Sequence, residues 1–223
     1  MRQFFSIRRN RAALRRLRCH LQRDANGVAA VEFALILPVM LLLYYGIAEI
    51  GQAAMADRRV TQLNRALVDL AAQGNLPPDS AAASGSAPRG TALSDADVDT
   101  IFLVGQMIMA PFTTTPRMMF ASVTVDDKGV AKVCWSAQRN TTAPPTNVIL
   151  PAGLLLPKTS VIMAEASHVY EPFLGKLVFK DALTLGGDRI YMRPRMAAKA
   201  GALSIEQVAR IQGTGSAAKT IVC

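Results

Sequence analysis

The stretch VAAVEFALILPVMLLLYYGIAEIGQAAMA, residues 28–56, decides how this chain is built. Residues 33–48 carry no charge, and Glu32 and Glu49 stand at the two borders of that run. A helix needs roughly 20 mostly apolar residues to cross a hydrocarbon core about 30 Å thick. Residues 28–56 meet that requirement and read as a transmembrane helix. Pro38 removes one backbone hydrogen bond and predicts a kink. Lipid-embedded helices tolerate this where neighbours compensate.

On the N-terminal side of this stretch the chain is basic. The 223 residues carry a formal charge of +9 with a pI near 9.9, which raises nucleic acid as a partner. The distribution of charge argues otherwise. Residues 1–27 hold eight arginines against Asp24, a balance of +7, while the remaining 17 basic and 15 acidic residues balance at +2. Lys and Arg beside a membrane helix stay on the cytoplasmic side. Residues 1–27 therefore read as a cytoplasmic leader, the chain from about Asp57 as extracytoplasmic, and nucleic acid is not an expected partner. Phe4, Phe5, Ile7, Leu14, Leu17 and Leu21 recur at near-helical spacing among the arginines. They fit an amphipathic helix on an anionic leaflet or a mobile basic arm.

This topology sorts the three cysteines. Cys19 in the leader stays reduced. Cys134 and Cys223 fall on the exported side, where disulfides form and persist, and one pair allows one bridge. The alternative is a buried free thiol at Cys134 and a frayed tail at Cys223.

On the C-terminal side, Val60, Leu63, Leu67 and Leu70 recur at three- and four-residue steps. That spacing predicts an amphipathic extension of the helix over residues 57–73, stopped by Gly74, Pro77 and Pro78. Residues 74–93 are small, polar and proline-broken, a linker. Residues 94–223 read as an α+β domain. Ser94 and Asp97 have capping-box spacing ahead of a helix running up to Pro111. Strands are expected over 118–126 and 130–138 around the turn Asp127-Lys128-Gly129, then over 159–170 and over 188–195 with Thr184 and Leu185 before it. Ser204 and Gln207 predict a second capped helix to about Gln212. The fold class is thus α+β, with a long N-terminal helix leading to an antiparallel sheet of about four strands.

Catalytic constellations are missing from the sequence. The two histidines are His20 and His168. In an extended strand Glu165 and Glu171, at odd separations, point away from His168, which reads as a surface histidine. No Cys-x-x-Cys, P-loop or dinucleotide fingerprint occurs, and no nucleophile elbow. No catalytic residue, cofactor or metal site is expected. Trp135 reads as a core aromatic beside a disulfide, and Met107, Met109, Met118 and Met119 as core filler.

Gly27-Val28-Ala29-Ala30-Val31-Glu32-Phe33 resembles the processing site of type IV prepilins and pseudopilins. Continued as ALILPVMLLLYYGIAEIG, it is similar to the N-termini of the TadE-like family of tight-adherence pilus systems. Tyr170-Glu171-Pro172, Leu183-Thr184-Leu185 and Arg193-Pro194-Arg195 also resemble that family, although His168 stands where a second aromatic is common. The resemblance implies cleavage after Gly27 by a prepilin peptidase, with Val28 as the new N-terminus and Glu32 as the fifth mature residue. A carboxylate inside hydrocarbon is costly, about 2.5–3.5 kcal/mol for a charged residue at a helix centre, and usually has a partner. The freed α-amine of Val28, on the same chain or a neighbour, would be that partner and would set subunit register. A Glu32 snorkelling toward headgroups is the alternative, and snorkelling is the reading for Glu49.

The family further implies a single-pass minor pilin or pseudopilin with a pilin-like periplasmic domain. Its setting would be inner-membrane lipid, a major Flp-type pilin, other minor pilins (TadF-like) and the pilus assembly platform. Two other readings stand beside it: an uncleaved, signal-anchored scaffold of the secretion machine, and a membrane-tethered periplasmic enzyme.

Overall fold

The computed structural model describes residues 26–74, 92–112, 114–145, 148–172, 182–214 and 218–223. The leader with Cys19 and His20, linker residues 75–91, and residues 173–175 after the Tyr-x-Pro element lie outside these. The chain divides into two compact units, residues 1–51 and 52–223.

Helix α1, Asn26–Gln73, crosses from one unit into the other and contains Pro38. In the first unit its apolar side chains point outward: Leu35 is 71% exposed and Ile47 72%. Among the described residues this is the one helix long and apolar enough to cross a membrane. A contiguous apolar surface of this kind marks a lipid or protein interface rather than a face left to water.

In the second unit α1 has a single buried face. Val60, Leu63 and Leu67 are each no more than 2% exposed, and Leu70 packs against the same cluster. This is the three- and four-residue spacing that the sequence carries. After strand β1, Ala92–Ser94, comes helix α2, Asp95–Ile108. Its capping box forms as the spacing predicts: the Ser94 hydroxyl accepts from the Asp97 amide while the Asp97 carboxylate accepts from the Ser94 amide. The helix ends at Ile108, short of Pro111.

Strands β2 (Arg117–Val125), β3 (Ala131–Arg139), β4 (Ser160–Tyr170) and β5 (Leu183–Met192) form an antiparallel sheet in the order β3-β2-β4-β5. The β2–β3 turn is held by the Asp126 carboxylate, which accepts from the amides of Lys128 at 3.0 Å and Val130 at 2.7 Å. Gly129, at φ 78°, supplies the left-handed residue. One sheet face, with Met118, Phe120, Trp135, Ile162 and Ala164, packs on α1 and α2. The opposite face, with Met119, Ala121, Val123, Val161 and Met163, is covered by Val148, Leu150, Leu154 and Leu155. Alternation along β2 and β4 is what lets one sheet serve two cores.

Three short elements complete the unit. β6 (Ala198–Ala200) pairs with β7 (Ile205–Gln207), and β8 (Ala209–Gln212) runs parallel to β1 and antiparallel to β9 (Lys219–Ile221). These correct several expectations. Residues 204–212 are not a helix. Ser204 has φ 49°, whereas a helix N-cap needs extended backbone. Ile205 and Gln207 are buried about an exposed Glu206, which is the period of a strand. Ala92 and Leu93 belong to β1 rather than the linker. The fourth strand starts at Leu183 and stops at Met192. Met107 is 65% exposed and not core filler, unlike Met109, Met118 and Met119.

Candidate functional site

The sequence-derived positions fall at separate places. Gly27, Val28 and Glu32 share the opening turns of α1. A side chain at Gly27 would meet nothing within 4 Å, and Val28 is 60% exposed. Glu32 is also exposed. Positions four apart on a helix share one face, so the side chains of Val28 and Glu32 lie on the same side of α1.

Cys134 on β3 and Cys223 are joined by a disulfide with a Cα–Cα distance of 5.8 Å. The residue that organises this junction is Gln207, which the sequence presents only as part of a helix-capping pair with Ser204. It is 1% exposed, donates to the carbonyls of Ala200 at 3.1 Å and Cys223 at 3.0 Å, and accepts from the Cys223 amide at 3.0 Å. Trp135, next to Cys134, donates its indole N–H to the Val208 carbonyl at 2.8 Å. Gly201, at φ 77°, lies so close to the Cys223 carbonyl that a Cβ there would overlap it. The chain end is thereby locked to β3 and to the β6–β7 hairpin.

His168 corrects its reading as a surface residue: it is 1% exposed. Its ring lies 5.8 Å from Phe112, and the Thr114 hydroxyl reaches its two nitrogens at 3.2 and 3.4 Å. Burial pushes the imidazole pKa below its ordinary value. With Gln52, Pro111, Tyr170 and Glu171 it borders a cavity of about 340 Å³. Glu171 follows the last residue of β4, so strand alternation no longer turns it away from His168. Glu165 instead bonds Arg189 at 2.9 Å. That bond raises the guanidinium pKa above its ordinary value. Among the described residues no group of three or more His, Cys, Asp or Glu is placed to hold a metal ion.

Asn64 is a further position without a sequence signal. It sits 3% exposed on the buried face of α1 and donates to the Asp188 carbonyl at 2.6 Å. This ties the helix to edge strand β5.

Compared with known proteins, residues 27–66 match the model of the TadE-like protein family. No curated protein and no solved structure matches the chain. The match takes in Gly27, Val28, Glu32, the whole charge-free run and the helical turn bearing Val60 and Leu63, and ends before the sheet. Over those residues the chain is similar to the TadE-like family.

Proposed function

We propose that the protein is a minor pilin or pseudopilin of a tight-adherence pilus, acting by helix packing and subunit docking rather than by catalysis. The observation that carries this is the first half of α1: apolar, uncovered, and opening on Gly27-Val28 with Glu32 one turn further on. In the proposed mechanism the leader stays in the cytoplasm and the second unit folds in the periplasm. A prepilin peptidase cuts after Gly27. The helix then enters a bundle with a major Flp-type pilin and other minor pilins, where Glu32 meets the amine of Val28 on its own or a neighbouring chain. A buried, unpaired carboxylate in hydrocarbon is costly enough for that pairing to set register.

Two measurements test this. Intact mass of the membrane-extracted protein is expected to start at Val28. Retention of Met1 removes the processing step and favours the signal-anchored scaffold. Glu32→Gln keeps shape and removes charge, and is expected to abolish incorporation into shed filaments while leaving membrane insertion intact. Unchanged incorporation would count against the register role.

A further inference from the structure

On the sheet face opposite α1, the cover made by Val148, Leu150, Leu154 and Leu155 does not extend over the whole surface. The part beyond Met119 is polar. Register brings five side chains into a patch across three strands: Arg117 lies opposite Ser167, Met119 opposite Glu165, and Glu165 opposite Arg189. With Thr141, Thr142, Pro144 and Pro145 as a wall, they line a cavity of about 140 Å³. That is room for roughly four or five waters at about 30 Å³ each. An open trough of about 570 Å³ adjoins it, bordered by Arg117, Asn140, Thr141 and Thr142. Arg117, Thr141 and Thr142 border both spaces, so the cavity continues into a channel along the surface.

The charges do not cancel. Glu165 is held by Arg189 at 2.9 Å, while the Arg117 guanidinium makes no hydrogen bond or ion pair among the described residues. One carboxylate thus faces two guanidinium groups, and among the described residues the N–H donors of Arg117 stand without a partner beside three hydroxyls. We propose that this cleft binds a carboxylate side chain of an extended acidic peptide, with Arg117 as anchor and Thr141, Thr142 and Ser167 as secondary donors. Guanidinium matches carboxylate with two parallel hydrogen bonds, and the Arg189–Glu165 pair shows that this patch accommodates such a group. A dianion such as phosphate suits it less, because Glu165 forms part of the wall. The open trough gives the neighbouring residues of a peptide somewhere to lie, which a free acid does not need. The proposal does not depend on the pilus reading.

The test uses the full chain in zwitterionic nanodiscs and a fluorescein-labelled peptide of alternating glycine and glutamate, with the glutamine analogue as control. Any contribution of the arginine-rich leader is common to every variant, so the informative quantities are differences. Arg117→Gln is expected to weaken binding about tenfold or more. Glu165→Gln, which frees Arg189, is expected to tighten it at least about threefold, a gain the leader cannot imitate. Unchanged affinity in Arg117→Gln, equal binding of the glutamine peptide, or weaker binding in Glu165→Gln would overturn the site. Displacement by glutarate or inorganic phosphate at matched concentration would overturn the peptide as occupant, and a need for about a hundredfold excess supports it. Both substitutions lie on exposed or half-exposed strand positions, and an unchanged Trp135 emission spectrum confirms that the variants are folded.

Discussion

Replacing Gly186 by alanine probes how β5 is seated against α1. Gly186 lies at φ +77°, and a Cβ there would sit 2.4 Å from Val60 Cγ1 and 2.7 Å from the Ala166 carbonyl oxygen. The left-handed backbone alone costs a non-glycine residue about 1–2 kcal/mol. Overpacking against two fixed neighbours adds about 1–3 kcal/mol. Gly186→Ala is therefore expected to destabilise by about 2–5 kcal/mol. Val60→Ala removes the nearer obstacle, since Val60 Cβ is 3.5 Å away, an ordinary contact. On its own it costs about 1.5–3 kcal/mol, from two lost methyl groups and a small cavity. The double variant is expected to be less destabilised than the sum by about 1–2 kcal/mol, the remainder staying with the Ala166 carbonyl. Urea unfolding of the full chain in nanodiscs, followed by the emission of the single tryptophan, Trp135, provides the double-mutant cycle. Additivity within about 0.5 kcal/mol would refute the claim that α1 and β5 meet at this point.

Two other outcomes follow from the same structure. Cys223→Ser opens a ring closed across a sequence separation of 89. It is expected to cost about 2–5 kcal/mol. The urea midpoint of the parent, but not of Cys134→Ser/Cys223→Ser, should then fall on addition of dithiothreitol. His168 should make stability depend on pH. Because burial lowers its folded pKa, the unfolded chain binds the extra proton, and stability is lost as pH falls through the unfolded value of about 6.5. His168→Gln is expected to flatten the pH 7-to-5 slope, and an unchanged slope would exclude His168 as its source.

What the sequence disclosed was local. Val60, Leu63 and Leu67 declare one helix face by their spacing, and Ser94 with Asp97 closes its capping box within four residues. Asp127-Lys128-Gly129 makes its turn because Asp126 and Gly129 suffice for it. The failures are positions settled by distant neighbours. Ser204 and Gln207 imitate a helix start, yet Gln207 is claimed by Ala200 and Cys223, and the strand wins. His168 is polar by type, but Thr114 and Phe112 bury it from 54 and 56 residues upstream. The Arg117, Glu165 and Arg189 patch exists only through strand register. Gly27, Val28 and Glu32 are proposed from the sequence itself, where a charge beside an apolar run announces itself in one dimension.

The pairing of β1 with β8 has a consequence for when the fold can be completed. Ala92 waits for Ala209, and Trp135 for Val208, so both depend on partners translated well after them. Contacts of such long span slow folding. The nascent second unit would hold an open core edge until synthesis has passed β8, and a ribosome stalled short of it would display a half-built sheet to chaperones and proteases.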